Sequence, residues 1–446
     1  LHSKSNFSSF RVPGFFFKDN SNFIRLIDGM ASDPHLVLLR PPRFGKSLLC
    51  SMLAAYYDFL GQESFGDLFG GLNIGKRPTA HASQYYVLNL RLSVVPDGRW
   101  TLADAFNLLD ECINDSCLSF RTRYGLSFEI EKRGVRTVRN ACRAVGATPR
   151  KRMFVIVDEY DRLPNSTMSQ GTAVLAEYLS VMEQDAAAAK VSSGVSAAVA
   201  PRAEVTYVSP IRALYATFKD ASDSTSTFNL EEFRSFSTGI SPVALADASL
   251  FNVATNLTAV PEASDVLGFT SEDVRAAIES ATCVPDACRE PLFDLLSTWF
   301  NDLRFFTGTD APTLFHPMLC MKVLSDAQTL RSSRTKLSRI LGMRLHDCDP
   351  LPSSGSGVTP LSRGASARAM QYLPSSVVDL SNVTVNSDVV ALLARHLAAV
   401  SPFSYDELFL SGAEIPADLL QVAFKQSELL SLSVTNHGRP LDRLRL

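Results

Sequence analysis

The sequence has 446 residues, a length for which we expect roughly two to three domains rather than one hydrophobic core. Its composition, 46% hydrophobic and 20% charged, excludes wholesale disorder. The net charge of -3 and the pI near 6.2 provide no overall field that would attract nucleic acids or anionic membranes, although a local basic patch stays compatible with them.

The cysteines and the apolar segments indicate the environment of the chain. Eight cysteines are scattered along it, as in proteins of a reducing compartment. None has the spacing or the neighbouring histidines of a zinc site. No apolar stretch reaches the roughly 18 residues that a membrane-spanning helix needs. We therefore expect a soluble intracellular protein, cytoplasmic or nuclear, that does not bind membranes.

The first clear pattern is a strand, a loop and a helix. Residues 35–39 (HLVLL) form a short apolar run between two prolines, which predicts a buried parallel strand. After Lys46 and Ser47, apolar residues recur at helical spacing and predict a helix of about four turns.

A second set of elements ends in two carboxylates. Residues 85–92 are predicted to be a strand, followed by helices at 102–117 and 129–145. The run 153–157 (MFVIV) is the clearest buried strand of the chain, and it ends at Asp158 and Glu159. Ligands bind at this carboxyl edge of a parallel sheet in open α/β folds.

The remaining pattern predicts an α/β fold: a P-loop NTPase parallel sheet flanked by helices, followed by a mainly helical C-terminal domain. Further elements are predicted at 210–219 (helix), 233–240 (strand), and 271–281, 291–300 and 318–330 (helices). The predicted domains are a lead-in segment (1–34), a P-loop ATPase core (35–265) with a flexible insertion at about 185–203, a helical domain (266–345), a linker or loop (346–380) and a small helical segment (381–446).

The loop between the first strand and helix carries the parts of a phosphate site. Such a site needs convergent backbone N–H groups, a lysine for the β- and γ-phosphates and a hydroxyl for magnesium. Gly45-Lys46-Ser47 supplies these parts. The residues expected to bind the nucleotide are Arg43, Phe44, Gly45, Lys46, Ser47 and Leu48.

One position departs from the usual G-x-x-x-x-G-K-[ST] pattern, because Arg40 stands where the first glycine is expected. A positive φ is energetically unfavourable for arginine, so this loop must begin with a backbone conformation different from that of the glycine pattern. Pro41 and Pro42 are candidates to stiffen it.

The acidic strand end has the form of a Walker B motif. Asp158 is expected to hold magnesium together with Ser47, and Glu159 to orient or deprotonate the water that attacks the γ-phosphate. The alternative is an ordinary strand with a solvated acidic end. No Asn-Lys-x-Asp or Thr-Lys-x-Asp sequence is present to read guanine, which favours ATP.

Three residues near these motifs have two interpretations each. Asp161 is either a partner of the site or a surface carboxylate in a turn. Thr238 is either a sensor of the γ-phosphate and the water or a strand-terminal threonine. Arg43 either neutralises nucleotide charge, which we favour, or points outward.

Four segments together resemble the AAA-ATPase-like family of P-loop proteins: RPPRFGKSLLCSMLAAYYD, VIVDEYDRLP, STGISPVAL and LGFTSEDV. The resemblance covers about residues 10–327, and Arg40 belongs to the family pattern. It implies a core similar to AAA and STAND ATPases, with eukaryotic relatives that resemble ATPase modules of crinkler-type and mobile-element proteins. Carried over, it assigns Lys46 and Ser47 to phosphate and magnesium, and Asp158, Glu159 and Thr238 to magnesium, water and sensing.

Family members often continue into a nuclease-like domain of the PD-(D/E)xK type. No Asp followed by a Glu-x-Lys strand is found between residues 382 and 446, so the nuclease is not carried over. The leading hypothesis is an Mg²⁺-dependent ATPase that drives a conformational switch, acting on a protein client or as a homo-oligomer. The alternatives are a non-catalytic interaction module with bound nucleotide and the ATPase component of a nuclease-linked DNA-processing or effector system.

Overall fold

The computed structural model describes residues 6–11, 16–30, 32–93, 100–163, 166, 177, 181, 209–240, 254–281, 284, 286–305 and 312–329. Three predicted segments lie outside the described residues: the insertion at about 185–203, the linker at 346–380 and the small helical segment at 381–446. The predicted domain boundaries stay predictions.

Strands and helices alternate through the first part of the chain. The elements are α1 (Phe23–Gly29), β1 (His35–Leu39), α2 (Lys46–Tyr57), α3 (Phe65–Phe69), α4 (Asn73–Lys76), β2 (Tyr86–Arg91), α5 (Leu102–Tyr124), α6 (Gly134–Gly146), β3 (Arg152–Asp158), α7 (Pro210–Ser222), β4 (Glu232–Gly239) and β5 (Thr255–Asn256). Short 3-10 turns occur at Phe7–Phe10, Phe59–Gly61 and Pro261–Ala263.

The described strands β1 to β5 form one parallel sheet in the order β2-β3-β4-β1-β5. Every residue of β1 is buried, and alternate side chains enter two different cores: Val37 and Leu39 on one face, Leu36 and Leu38 on the other. Helices α5, α6 and α7 pack on the first face and α1 and α2 on the second. The predicted α/β architecture, a parallel sheet flanked by helices, is therefore confirmed.

Several helix boundaries differ from the sequence prediction, and the largest differences before residue 266 are those of α5 and α6. Helix α5 continues seven residues past 117, because Phe120 is buried against the sheet and Gly125 (φ +63°) provides the left-handed turn that ends the helix. Helix α6 begins at Gly134 instead of 129. The close approach of Gly134 to Ile113 leaves no room for a Cβ, and its N–H donates to Asp110, which fixes the start of the helix there.

The part of the chain after residue 266 is mainly helical where it is described. It contains α8 (Ser271–Ser280), α9 (Asp286–Phe300), the antiparallel pair β6 (Asn301–Leu303) and β7 (Leu314–Phe315), and α10 (Pro317–Thr329). These elements enclose a third apolar cluster that includes Val274, Leu296 and Phe315. Within the described ranges, no helix combines the length and the apolar character needed to cross a membrane.

Candidate functional site

The loop between β1 and α2 leads directly into the N-terminus of α2. Gly45, with φ +101°, caps α2, and no side chain caps this end of the helix. Within the described part of the chain, the backbone N–H groups of Lys46, Ser47 and Leu48 donate to no acceptor. Unpaired N–H groups at a helix N-terminus are the usual ligands of phosphate, and the helix dipole adds to their attraction for it.

Lys46 closes this loop with its side chain. Its Nζ donates to the carbonyl oxygens of Arg40 and Pro41, each at 2.9 Å, and the residue is only 6% exposed. Among the described residues, no carboxylate oxygen lies within 4.0 Å of Nζ. The ammonium group is therefore held by neutral carbonyls, which an anionic ligand can replace as stronger partners.

Arg40, the position that departs from the glycine pattern, is completely buried. Its guanidinium donates to the carbonyls of Leu39, Thr258, Ala263 and Val266 and lies 4.0 Å from the ring centroid of Phe305. Burial lowers the pKa of Arg40 to about 9. The positive φ expected of a phosphate loop occurs further on, at Arg43 (+58°) and Gly45. Arg40 thus anchors the loop from beneath instead of shaping its turn.

The acidic end of β3 lies one strand away from the loop, because β4 runs between β1 and β3. Asp158 is 9% exposed and pairs in register with Thr238 of β4. The hydroxyl of Thr238 donates to Asp158 Oδ1 at 2.8 Å, so it orients that carboxylate. Glu159 follows Asp158 and has φ +58°, a left-handed backbone conformation that is strained for residues other than glycine.

Asp161 is buried at 1% exposure, so its interpretation as a surface carboxylate was wrong. Its Oδ2 accepts the backbone N–H of Ile240 at 2.6 Å. Gly239 approaches the Asp161 side chain so closely that a Cβ there would collide with it. Asp161 therefore connects the segment after β3 to the end of β4.

The charges of these residues act on one another. Burial lowers the pKa of Lys46, and the negative charges of Asp161, Asp158 and Glu159 oppose that effect. Burial, followed by the charge of Asp158, raises the pKa of Glu159, and Arg162 and Lys46 act in the opposite direction. A carboxylate with a raised pKa is better suited to accept a proton from water.

A cavity of about 210 Å³ opens between α2 and the carboxyl ends of β2 and β3. Ser47, Asp158 and Glu159 line it, together with Asn89, Arg91 and Ser93 from β2 and the residues after it. The structure therefore brings the hydroxyl and both carboxylates of the sequence prediction to one cavity. Arg91 was not identified by sequence reasoning, although its place at the end of a predicted strand was a usable signal.

The opposite side of the loop packs against the helical part of the chain. Phe44 is 2% exposed, and its ring makes edge contacts with Phe305 and His316 at centroid distances of 5.6 and 5.1 Å. Arg43 is exposed, and its Nη1 contacts the sulfur of Met318 at 3.5 Å. Burial lowers the pKa of His316 to about 4, so the imidazole is neutral near pH 7. The predicted nucleotide contact of Arg43 stays a prediction.

The residues present fit a nucleotide with a magnesium ion. The unpaired N–H groups at the start of α2 and the Nζ of Lys46 suit phosphate oxygens, and Ser47 and Asp158 offer oxygen ligands on the same cavity. Among the described residues, no three His, Cys, Asp or Glu side chains cluster as a metal site. Mg²⁺ in nucleotide sites needs only one or two carboxylates, since phosphates and water complete its shell.

The fold and the site together define a class, an α/β protein with an NTPase-like sheet and a phosphate-type loop at its carboxyl edge. Residues 3–196 match the AAA-ATPase-like family, described as a predicted AAA-ATPase, and this confirms the resemblance over that segment. The matched segment includes Lys46, Asp158 and Glu159 and ends before Thr238. No curated protein and no solved structure matches the chain.

Proposed function

We propose that this protein binds ATP with Mg²⁺ at the carboxyl edge of the sheet and hydrolyses its terminal phosphoanhydride bond. The observation that carries the proposal is the shared cavity of Ser47, Asp158 and Glu159 beside the unpaired N–H groups of α2. The match of residues 3–196 to a family of predicted ATPases supports it independently.

Each residue has a chemical task in this proposal. The N–H groups at the start of α2 and the ammonium group of Lys46 bind the β- and γ-phosphates. Ser47 and Asp158 hold Mg²⁺, which when bound neutralises phosphate charge. Glu159 takes a proton from the water whose oxygen attacks the γ-phosphorus, and the bond from that phosphorus to the bridging oxygen breaks. Thr238 keeps Asp158 oriented through its hydroxyl.

The contacts of Phe44 support a conformational switch. Phe44 lies inside the loop that would receive the phosphates, and its ring touches Phe305 and His316 of the helical part. Rearrangement of the loop around a nucleotide therefore has a direct steric route to the segment that leads into α10. We expect ATP to change the hydrogen exchange of the amides of residues 312–329.

Phosphate release by the purified chain with ATP and Mg²⁺ tests the proposal. Lys46→Ala should weaken ATP binding by about 10-fold or more, because it removes a charge-assisted contact. Glu159→Gln should keep ATP binding nearly unchanged and lower kcat by about 10² to 10⁴, the usual contribution of a general base. Lys76→Ala and Glu279→Gln, at exposed positions outside the site, are matched controls.

Two results would contradict parts of this proposal. Turnover that is unchanged in both site variants would remove these residues from the chemistry. An ATP-dependent rise in melting temperature without phosphate release would instead identify a non-catalytic module that uses ATP as a structural ligand.

A further inference from the structure

Arg91 is the last residue of β2, the strand at the edge of the sheet next to β3. It pairs in register with Asp158, so its Cα is directly opposite the proposed magnesium ligand. The side chain is exposed and lines the cavity that also contains Ser47 and Glu159. Among the residues that the structure describes, no side chain forms a hydrogen bond or an ion pair with its guanidinium.

The charged residues that line the cavity are mainly acidic, which favours a cationic role for Arg91. Of the described residues that line it, Arg91 alone is cationic, whereas Asp158 and Glu159 are acidic. The buried carboxylate of Asp161 adds a further negative charge that acts on Lys46. A triphosphate that enters the cavity meets the carboxylates of Asp158 and Glu159, and a cation at Arg91 reduces the repulsion between those carboxylates and the phosphates.

We infer that Arg91 binds the γ-phosphate of ATP from within the same chain and stabilises the charge that develops on it during hydrolysis. The inference rests on the proposed function and adds a catalytic residue to it. A guanidinium carries its donors in a planar fork that matches two oxygens of a phosphate, and it remains charged near neutral pH. A cation supplied in this way removes the need for an arginine from a neighbouring subunit.

Arg162 is another described arginine whose charge acts on the acidic residues. It lowers the pKa of Glu159, but it is not among the residues that line the cavity. Because Arg91 lines the cavity and Arg162 does not, we expect Arg91 rather than Arg162 to contact the phosphate. The two arginines can be separated by measuring phosphate binding in Arg91→Ala and Arg162→Ala.

The test compares two ligands that differ in the γ-phosphate: ADP and an ATP analogue whose β–γ bridge is an imido group, each with Mg²⁺. Arg91→Ala should raise the Kd of the ATP analogue by about 10-fold or more, the effect of a lost charged hydrogen bond. The Kd of ADP should change by less than about 2-fold, since ADP lacks the phosphate concerned. The kcat of ATP hydrolysis should fall by about 10²-fold in Arg91→Ala. Arg91→Lys should have a kcat between those of the wild type and Arg91→Ala, because lysine keeps the charge but lacks the planar fork of donors.

The controls make each outcome decisive. Arg136→Ala, at an exposed position on α6, should match the wild-type chain in every measurement. Equal weakening of both ligands by Arg91→Ala, or no weakening of either, would overturn the inference while leaving the ATPase intact. A shifted pH profile with an unchanged ratio of the two Kd values would show that Arg91 pairs with Glu159 instead, which also overturns it. Absence of ATP binding by the wild-type chain would refute the proposed function itself.

Discussion

Replacing Arg40 by glycine creates the residue that the usual phosphate-loop pattern has at this position, yet we expect it to destabilise the protein. Arg40 is 0% exposed, and three of its acceptors belong to one segment, at Thr258, Ala263 and Val266. The guanidinium therefore links the end of β1 to the chain that follows β5. Glycine provides none of these contacts and adds flexibility to the unfolded chain.

The magnitude follows from the acceptors that lose their donor. A buried carbonyl left without a hydrogen bond costs about 1 to 3 kcal/mol. Among the acceptors of Arg40 that are distant in the sequence, the carbonyls of Ala263 and Val266 form the shortest hydrogen bonds with it. The cation–π contact with Phe305 adds about 1 to 2 kcal/mol. The gain from no longer burying a charge, visible in the lowered pKa of Arg40, offsets part of this sum. We expect a net loss of about 3 to 5 kcal/mol.

Urea denaturation followed by fluorescence or circular dichroism measures this loss as a change in midpoint at constant slope. The urea midpoint of Arg40→Lys should lie between those of the wild type and Arg40→Gly, because an ammonium group reaches fewer of the carbonyls than a guanidinium. Arg43→Ala is the matched control, since Arg43 is exposed in the same loop. An Arg40→Gly chain within about 1 kcal/mol of the wild type would refute the anchoring argument.

Two predictions concern pH. Burial and the charge of Asp158 raise the pKa of Glu159 above 4.5, so kcat should fall as the pH decreases through that raised value. Arg162→Ala should move this fall in kcat to higher pH, because Arg162 lowers the pKa of Glu159. A fall in kcat at the same pH in both chains would contradict the assignment. Burial lowers the pKa of His35 to about 4, below its unfolded value of 6.5, so its contribution to stability is complete above pH 6.5 and is lost as the pH falls to 4. This lowers the free energy of unfolding by about 3 kcal/mol. In urea denaturation, the free energy of unfolding of His35→Gln should therefore fall less between pH 7 and pH 4 than that of the wild type. Equal losses in the two chains would contradict the argument.

The sheet and the positions of its motifs could be predicted because their signals are local. Strands β1 and β3 are apolar runs that end at polar residues, and parallel strands bring their carboxyl ends to one edge. That rule places Asp158 and Thr238 near the phosphate loop without further knowledge. The short strands β5 and β7, of two residues each, carry no pattern that could be recognised.

The contacts of Arg40 could not be predicted, for a physical reason. Its acceptors are backbone carbonyls up to 226 residues away, and every residue has a carbonyl, so the sequence contains no signal that identifies them. The same holds for His316 beneath Phe44, where the contact depends on how the helical part packs on the sheet. Of the two interpretations of Asp161, the surface carboxylate was wrong, because burial of this turn residue depends on Ile240, which follows β4 and lies 79 residues later in the chain.

The left-handed backbone at Glu159 has a consequence for selection on this chain. A side chain in that conformation costs about 1 to 2 kcal/mol, and glycine would remove both the strain and the half-buried carboxyl group. Folding therefore favours glycine at position 159, whereas the proposed role of the carboxylate in hydrolysis favours glutamate. A Glu159→Gly chain that is more stable and inactive would make this residue a site where evolution has kept activity at the expense of stability.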